Sequence, residues 1–137
     1  GAYHTSVYAL GTVQATNNRD AVEITLDQNG RLTNVPENVQ VFTLEKGTKD
    51  NTFALSTGTG YIYAASSSSN YLKTQTEIDD NASWLISYTE GAGTIVAQGA
   101  NTRNIIKLNE SNASRILFAC YSQNQVDVVI YVYSEVK

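Results

Sequence analysis

The sequence predicts an all-β fold, a β-trefoil-like closed barrel of about twelve short strands, and three observations carry the prediction. β-Branched and aromatic residues cluster in runs of about 4 to 8 residues. Turn residues punctuate almost every gap between those runs. A block of four runs recurs at an offset of about 42 to 45 residues. Helix signals are nearly absent, because no window places apolar residues three and four apart for more than about one turn. A different small β-barrel and a two-sheet sandwich are the alternatives.

The first runs are "SVYALGTV" (6–13) and "AVEITL" (21–26). Asn29-Gly30 follows, between "AVEITLDQ" and "RLTNV", and predicts a hairpin, since a type I′ turn needs positive φ at both central residues and Asn-Gly tolerates it. Pro36, the only proline, ends the second arm of that hairpin by removing a backbone donor. The next four runs are "VQVFTLEK" (39–46), "TFALST" (52–57), "YIYAAS" (61–66) and "YLKTQT" (71–76), separated by "EKGTKDN" and "STGTG". Their counterparts are "SWLISYTE" (83–90), "GTIVAQG" (93–99), "NIIKLN" (104–109) and "RILFACY" (115–121). In this alignment Phe42 meets Trp84, "TFAL" (52–55) meets "TIVA" (94–97), "YIYAAS" (61–66) meets "NIIKLN" (104–109) and "NYLKTQ" (70–75) meets "RILFAC" (115–120). Read circularly, "VVIYVY" (128–133) is the first strand of a third, partial unit whose third and fourth strands are "VYALGTV" (7–13) and "AVEITL".

At 137 residues, the chain is the size of one domain, 1–137, with one continuous core. It is 42% hydrophobic and 16% charged, inside the globular range, and no apolar run approaches the roughly 18 to 20 residues needed to span a bilayer. No membrane insertion is expected. A formal charge of −4 with scattered basic residues argues against nucleic acid, which is held by clustered Lys and Arg. The polar surface is built from Ser, Thr, Asn, Gln and Tyr, which suits a neutral, hydroxyl-rich ligand. The single cysteine, Cys120 in "RILFACYS", has no intramolecular disulfide partner and reads as a small buried hydrophobe. The chain begins abruptly in a strand-like region with no visible signal peptide, as expected of an excised or processed part of a longer secreted protein.

No catalytic residue, metal site or cofactor is expected. His4 is the only histidine and lies at the N-terminal edge with no supporting group nearby. Asp79-Asp80 in "EIDDNAS" could supply carboxylates, but consecutive residues of an extended segment point opposite ways, and a turn-making role explains them better. Calcium needs six to eight oxygens, and the EF-hand spacing is missing. Phosphate-binding loops, dinucleotide fingerprints and hydrolase or zinc motifs do not occur.

Aromatics decide whether sugar can bind, because sugar rings stack their C–H faces on exposed Tyr or Trp. Trp84, aligned with Phe42, reads as a core anchor. Tyr61 and Tyr63 lie two apart and share one strand face, and Tyr71 follows on the next strand. With Asn70 and Gln75 at the rim they form the candidate ligand-binding face, and Arg103 in "NTRN" is the candidate loop contact. "NNRD" (17–20) is read as turn chemistry. The repeated Gln-x-Trp of ricin-type lectins is missing, since the Trp84 unit carries Ala82 at the Gln position.

"VQVFTLEKG" through "YIYAASSSSNYLKTQ", then "DDNASWLISY", "GTIVAQGANTRN" and "FACYSQNQVDVVIYVY", resemble small all-β accessory modules appended to secreted and surface proteins of gut bacteria. The resemblance covers most of residues 10–133 and implies a secreted or cell-surface location, without assigning an active residue. The expected function is a non-catalytic extracellular binding module directed at carbohydrate, with glycans as the partner. The alternative is a structural or protein-interaction module that docks or spaces a neighbouring enzyme or adhesin.

Overall fold

The structure, a computed structural model, describes residues 5–89 and 92–134. It is all-β, a nearly closed barrel of ten antiparallel strands. They are β1 (Thr5–Gln14), β2 (Arg19–Leu26), β3 (Thr43–Lys46), β4 (Phe53–Ser56), β5 (Tyr61–Ala64), β6 (Leu72–Gln75), β7 (Trp84–Thr89), β8 (Ala92–Ala97), β9 (Ile105–Asn109) and β10 (Leu117–Tyr121). One 3-10 turn, Asp80–Ala82, is the only helical element among the described residues.

The recurring runs become two four-strand meanders, β3 to β6 and β7 to β10, in which each strand pairs with the next. The units join where the second strand of one meets the first strand of the next. Phe53 of β4 pairs with Trp84 of β7, and Gly93 of β8 bridges to Val128. The "VVIYVY" segment therefore stands where the first strand of a third unit belongs, and β1 and β2 supply that unit's third and fourth strands. Matching the buried faces pairs Ile62 with Ile106 and Leu72 with Phe118. This is one residue away from the alignment of runs, and in a strand a slip of one turns every side chain to the other face.

Two predicted strands do not form. "RLTNV" carries no strand, so the Asn29-Gly30 hairpin is corrected to a local turn. Asp27 makes that turn: its carboxylate accepts the amides of Asn29 (2.8 Å) and Arg31 (2.9 Å), and Gly30 alone takes positive φ, 75°. An aspartate-capped turn of this kind closes without a partner strand. Residues 127–134 meet the sheet through one isolated bridge, Val128 to Gly93, instead of a ladder.

The core gathers one inward residue after another from the meanders: Leu55, Ile62, Leu72, Trp84, Ile106 and Phe118. Trp84 is fully buried, and its indole N–H donates to the Ile62 carbonyl at 3.1 Å. The barrel's last seam, between β6 and the β1–β2 pair, has no strand ladder. Leu72 N–H donates to the Asn17 carbonyl (2.9 Å), and Gln14 Nε2 donates back to the Leu72 carbonyl (2.8 Å). Arg19 fills the rest of that seam. "NNRD" is thus more than a solvated turn, because Arg19 is only 2% exposed.

Cys120 is a buried small hydrophobe as expected, with no exposed surface. Burial pushes its thiol well above the ordinary value of 9.0, since a thiolate there would lose its hydration without gaining a partner. A raised folded pKa gives stability that is complete below the unfolded value and is lost as pH rises past it. Above about pH 9 the loss amounts to about 1.4 kcal/mol per pH unit. Urea melts between pH 8 and 10 are expected to show this slope, and Cys120→Ala is expected to flatten it. An unchanged slope in the variant would place the titrating group elsewhere.

Candidate functional site

The alternation along β5 and β6 builds one face of the barrel wall. Ile62, Ala64 and Leu72 point inward and are fully buried. Tyr61 and Tyr63 consequently point outward, opposite Gln75 and Lys73 in the antiparallel register. Tyr71 precedes β6 with the same parity as Lys73 and Gln75, so it joins them on that face. All three tyrosines are half-buried, each with its body against the wall and an edge in water.

Each end of this strip is fixed by hydrogen bonds. At one end the Tyr61 hydroxyl donates to the Glu45 carboxylate, 3.0 Å from each oxygen. That bond, reinforced by desolvation and by the Glu45 charge, holds the phenol above its ordinary 10.0. Gln75 Nε2 donates to the Glu77 carbonyl (3.0 Å). Lys73 Nζ lies 5.1 Å from the centre of the Tyr71 ring, within cation–π range, and so occupies one face of that ring.

At the other end two loops are zipped together. The Ser66 hydroxyl accepts the amides of Ser68 and Ser69, both at 3.0 Å, which curls "SSSSN" into a tight turn. Arg103 N–H donates to the Ser66 carbonyl (3.3 Å), and its guanidinium donates to Asn70 Oδ1 (2.8 Å). Asn101 Nδ2 donates to the Ala64 carbonyl (2.9 Å) while its backbone amide donates to Asn81 Oδ1 (3.2 Å). Of the six sequence-predicted residues, Tyr61, Tyr63, Tyr71 and Gln75 share the strip on the wall, and Asn70 and Arg103 bond each other in the two loops beside it. The strip is acidic at the Glu45 end and basic at the Lys73–Arg103 end. Sequence reasoning missed Glu45 and Lys73; for Lys73 the period-two parity with Tyr71 was an available signal, and for Glu45, on a different strand, there was none.

The other residues weighed for chemistry are engaged locally. The Asp79 carboxylate accepts the Ala82 amide (3.0 Å) and caps the 3-10 turn. Asp80 accepts the Thr48 hydroxyl, and Lys49 Nζ lies 4.0 Å from it. His4 lies outside the described residues. Among the described residues no three His, Cys, Asp or Glu are grouped to hold a metal ion, and no helix is long and apolar enough to cross a membrane. The chain matches no protein-family model, no curated protein and no solved structure.

Proposed function

We propose that this chain is a non-catalytic carbohydrate-binding module working outside the cell, with the tyrosine strip of β5 and β6 as its site. The observation that carries the reading is the outward placement of Tyr61, Tyr63 and Tyr71 beside Gln75, Asn70 and Arg103 on a wall whose inward residues are fully buried. Aromatic edges and faces offer stacking surface to a sugar ring, and amide and guanidinium groups at the rim bond hydroxyls. The strip is shallow and open, which suits a chain of sugars more than a single enclosed one. The non-catalytic part rests on how the ionisable groups are used: Asp79 caps a turn, Asp80 holds Thr48, and Cys120 stays a buried thiol. The extracellular part rests on the resemblance to accessory modules of secreted and surface proteins of gut bacteria.

Titration against soluble polysaccharides, or a glycan array, tests the proposal. Tyr63→Ala is expected to weaken binding about tenfold, equivalent to ~1.4 kcal/mol, at an unchanged melting temperature. Tyr63 is the informative position because no hydrogen bond or cation occupies it, unlike Tyr61 and Tyr71. Absence of binding at millimolar saccharide by the folded protein would sink the sugar reading.

A protein-interaction role is the second reading. It is favoured by the exposed apolar side chains of Val129, Tyr131, Val132 and Tyr133, the last three between 54% and 92% exposed. Contiguous apolar exposure of this kind marks protein contacts more often than sugar sites.

A further inference from the structure

The two complete units show what the third one lacks. In each, a second strand (β4 or β8) lies between the first and third strands of its own unit and also touches the first strand of the next. By the same rule, a second strand of the third unit would lie between residues 128–133 and β1, and would touch the β3 region of the first unit. Among the described residues no strand is there, and all three neighbours show the vacancy. β1 pairs along one edge with β2, and its other edge is met only near its end, by Gly11 bridging to Val39. β3 pairs with β4 alone. Residues 129–134 have no strand partner among the described residues.

A groove of about 1920 Å³ occupies that place. Its walls are residues 7–10, 39–44 and 126–134, which are the three predicted neighbours, together with the strandless segment 31–35. Its floor reaches the core at Leu55, Ile95, Ile106 and Phe118. The volume is roughly twice the upper end of ordinary small-molecule pockets, about 300–1,000 Å³, and Val128, which bridges to Gly93 at one inter-unit seam, is part of its lining.

We infer that the groove is a seat for one extended peptide strand, antiparallel to residues 128–133 and to β1, with apolar side chains at alternate positions. β8 sets the required pattern: Gly93, Ile95 and Ala97 face the core while Thr94 faces solvent. The backbone edges of β1 and 128–133 supply hydrogen bonds, and the core floor supplies the pockets for alternate side chains. This is strand addition, in which main-chain bonds give affinity and the alternate side chains give selectivity. The exposed Tyr131 and Tyr133 are rims of that seat, independent of the tyrosine strip on β5 and β6.

The test tethers a candidate strand to the chain. The β8 sequence AGTIVAQ is joined ahead of Gly1 through a short flexible linker, which raises its local concentration to about the millimolar range. A control extension carries Lys at the positions of Ile95 and Ala97. The apolar extension is expected to raise Tm by roughly 5–10 °C over the control and to abolish binding of a hydrophobic dye to the groove. Amide exchange is expected to slow in residues 128–133 and in β1, and to stay unchanged in β5 and β6. Equal melting temperatures and equal dye binding for the two extensions would overturn the proposal. So would an unextended chain that sediments as a dimer with no dye-accessible groove, because a second copy would then be the occupant.

Discussion

Trp84→Ala is expected to remove about 4–5 kcal/mol of stability, most of what a domain of this size has to spare. The indole is fully buried at the start of β7, where it pairs with Phe53 on one side and Ala97 on the other. It is thus the residue through which the first unit and the second share a core. Truncation opens a large cavity and also strands the Ile62 carbonyl, whose hydrogen bond comes from the indole N–H. Trp84→Phe keeps most of the volume and loses the hydrogen bond, so about 1–2 kcal/mol is expected. Because Trp84 is the only tryptophan, urea melts of these variants are followed by circular dichroism, whereas fluorescence serves the parent chain. A loss below about 1 kcal/mol for the alanine variant would mean that the units do not depend on this anchor.

The strands were legible in the sequence wherever a run both alternates and faces a filled interior. β4 through β10 coincide to within a residue with the runs named from pattern alone, and in β5 and β9 the inward Ile62 and Ala64, and Ile106 and Leu108, recur at period two. The candidate strip was legible for the same reason: Tyr61 and Tyr63 flank a buried Ile62, and their outward placement follows. Two features were not legible. "RLTNV" has strand composition, but Asp27 satisfies the turn amides with its own carboxylate, so nothing obliges the chain to return as a paired strand. The register of the repeat was out by one in the third and fourth strands because runs were matched by their starts, and the inward face of a strand depends on the partner across the sheet. Burial of Arg19 had no sequence signal at all, since "NNRD" has the composition of a solvated turn.

Arg19→Met is expected to cost about 3–5 kcal/mol and to act at one seam. The guanidinium donates to the Gly11 carbonyl, Gln14 Oε1, Gln40 Oε1 and Thr74 Oγ1, all between 3.0 and 3.1 Å. Among the described residues no carboxylate pairs with it, so it is a buried charge held by neutral oxygens, each bond of a kind worth about 1.5–3 kcal/mol. Burial lowers its pKa, yet arginine stays charged in proteins, and the charge therefore demands all four acceptors. Methionine fills the stem's volume and donates nothing, so the Gly11 carbonyl and Gln40 Oε1 lose this donor, while Gln14 Oε1 and the Thr74 hydroxyl keep only their bond to each other (2.7 Å). Arg19→Lys restores the charge but not the planar fork, so it is expected to recover less than half of the loss. Because β6 meets β1 and β2 without a ladder, the damage is expected to be local before it is global. Amide exchange at Leu72, whose N–H is bonded to the Asn17 carbonyl, should accelerate far more than exchange at the β7–β8 ladder. Uniform acceleration across both would show that Arg19 supports the whole core, and the barrel would then be closed by packing alone.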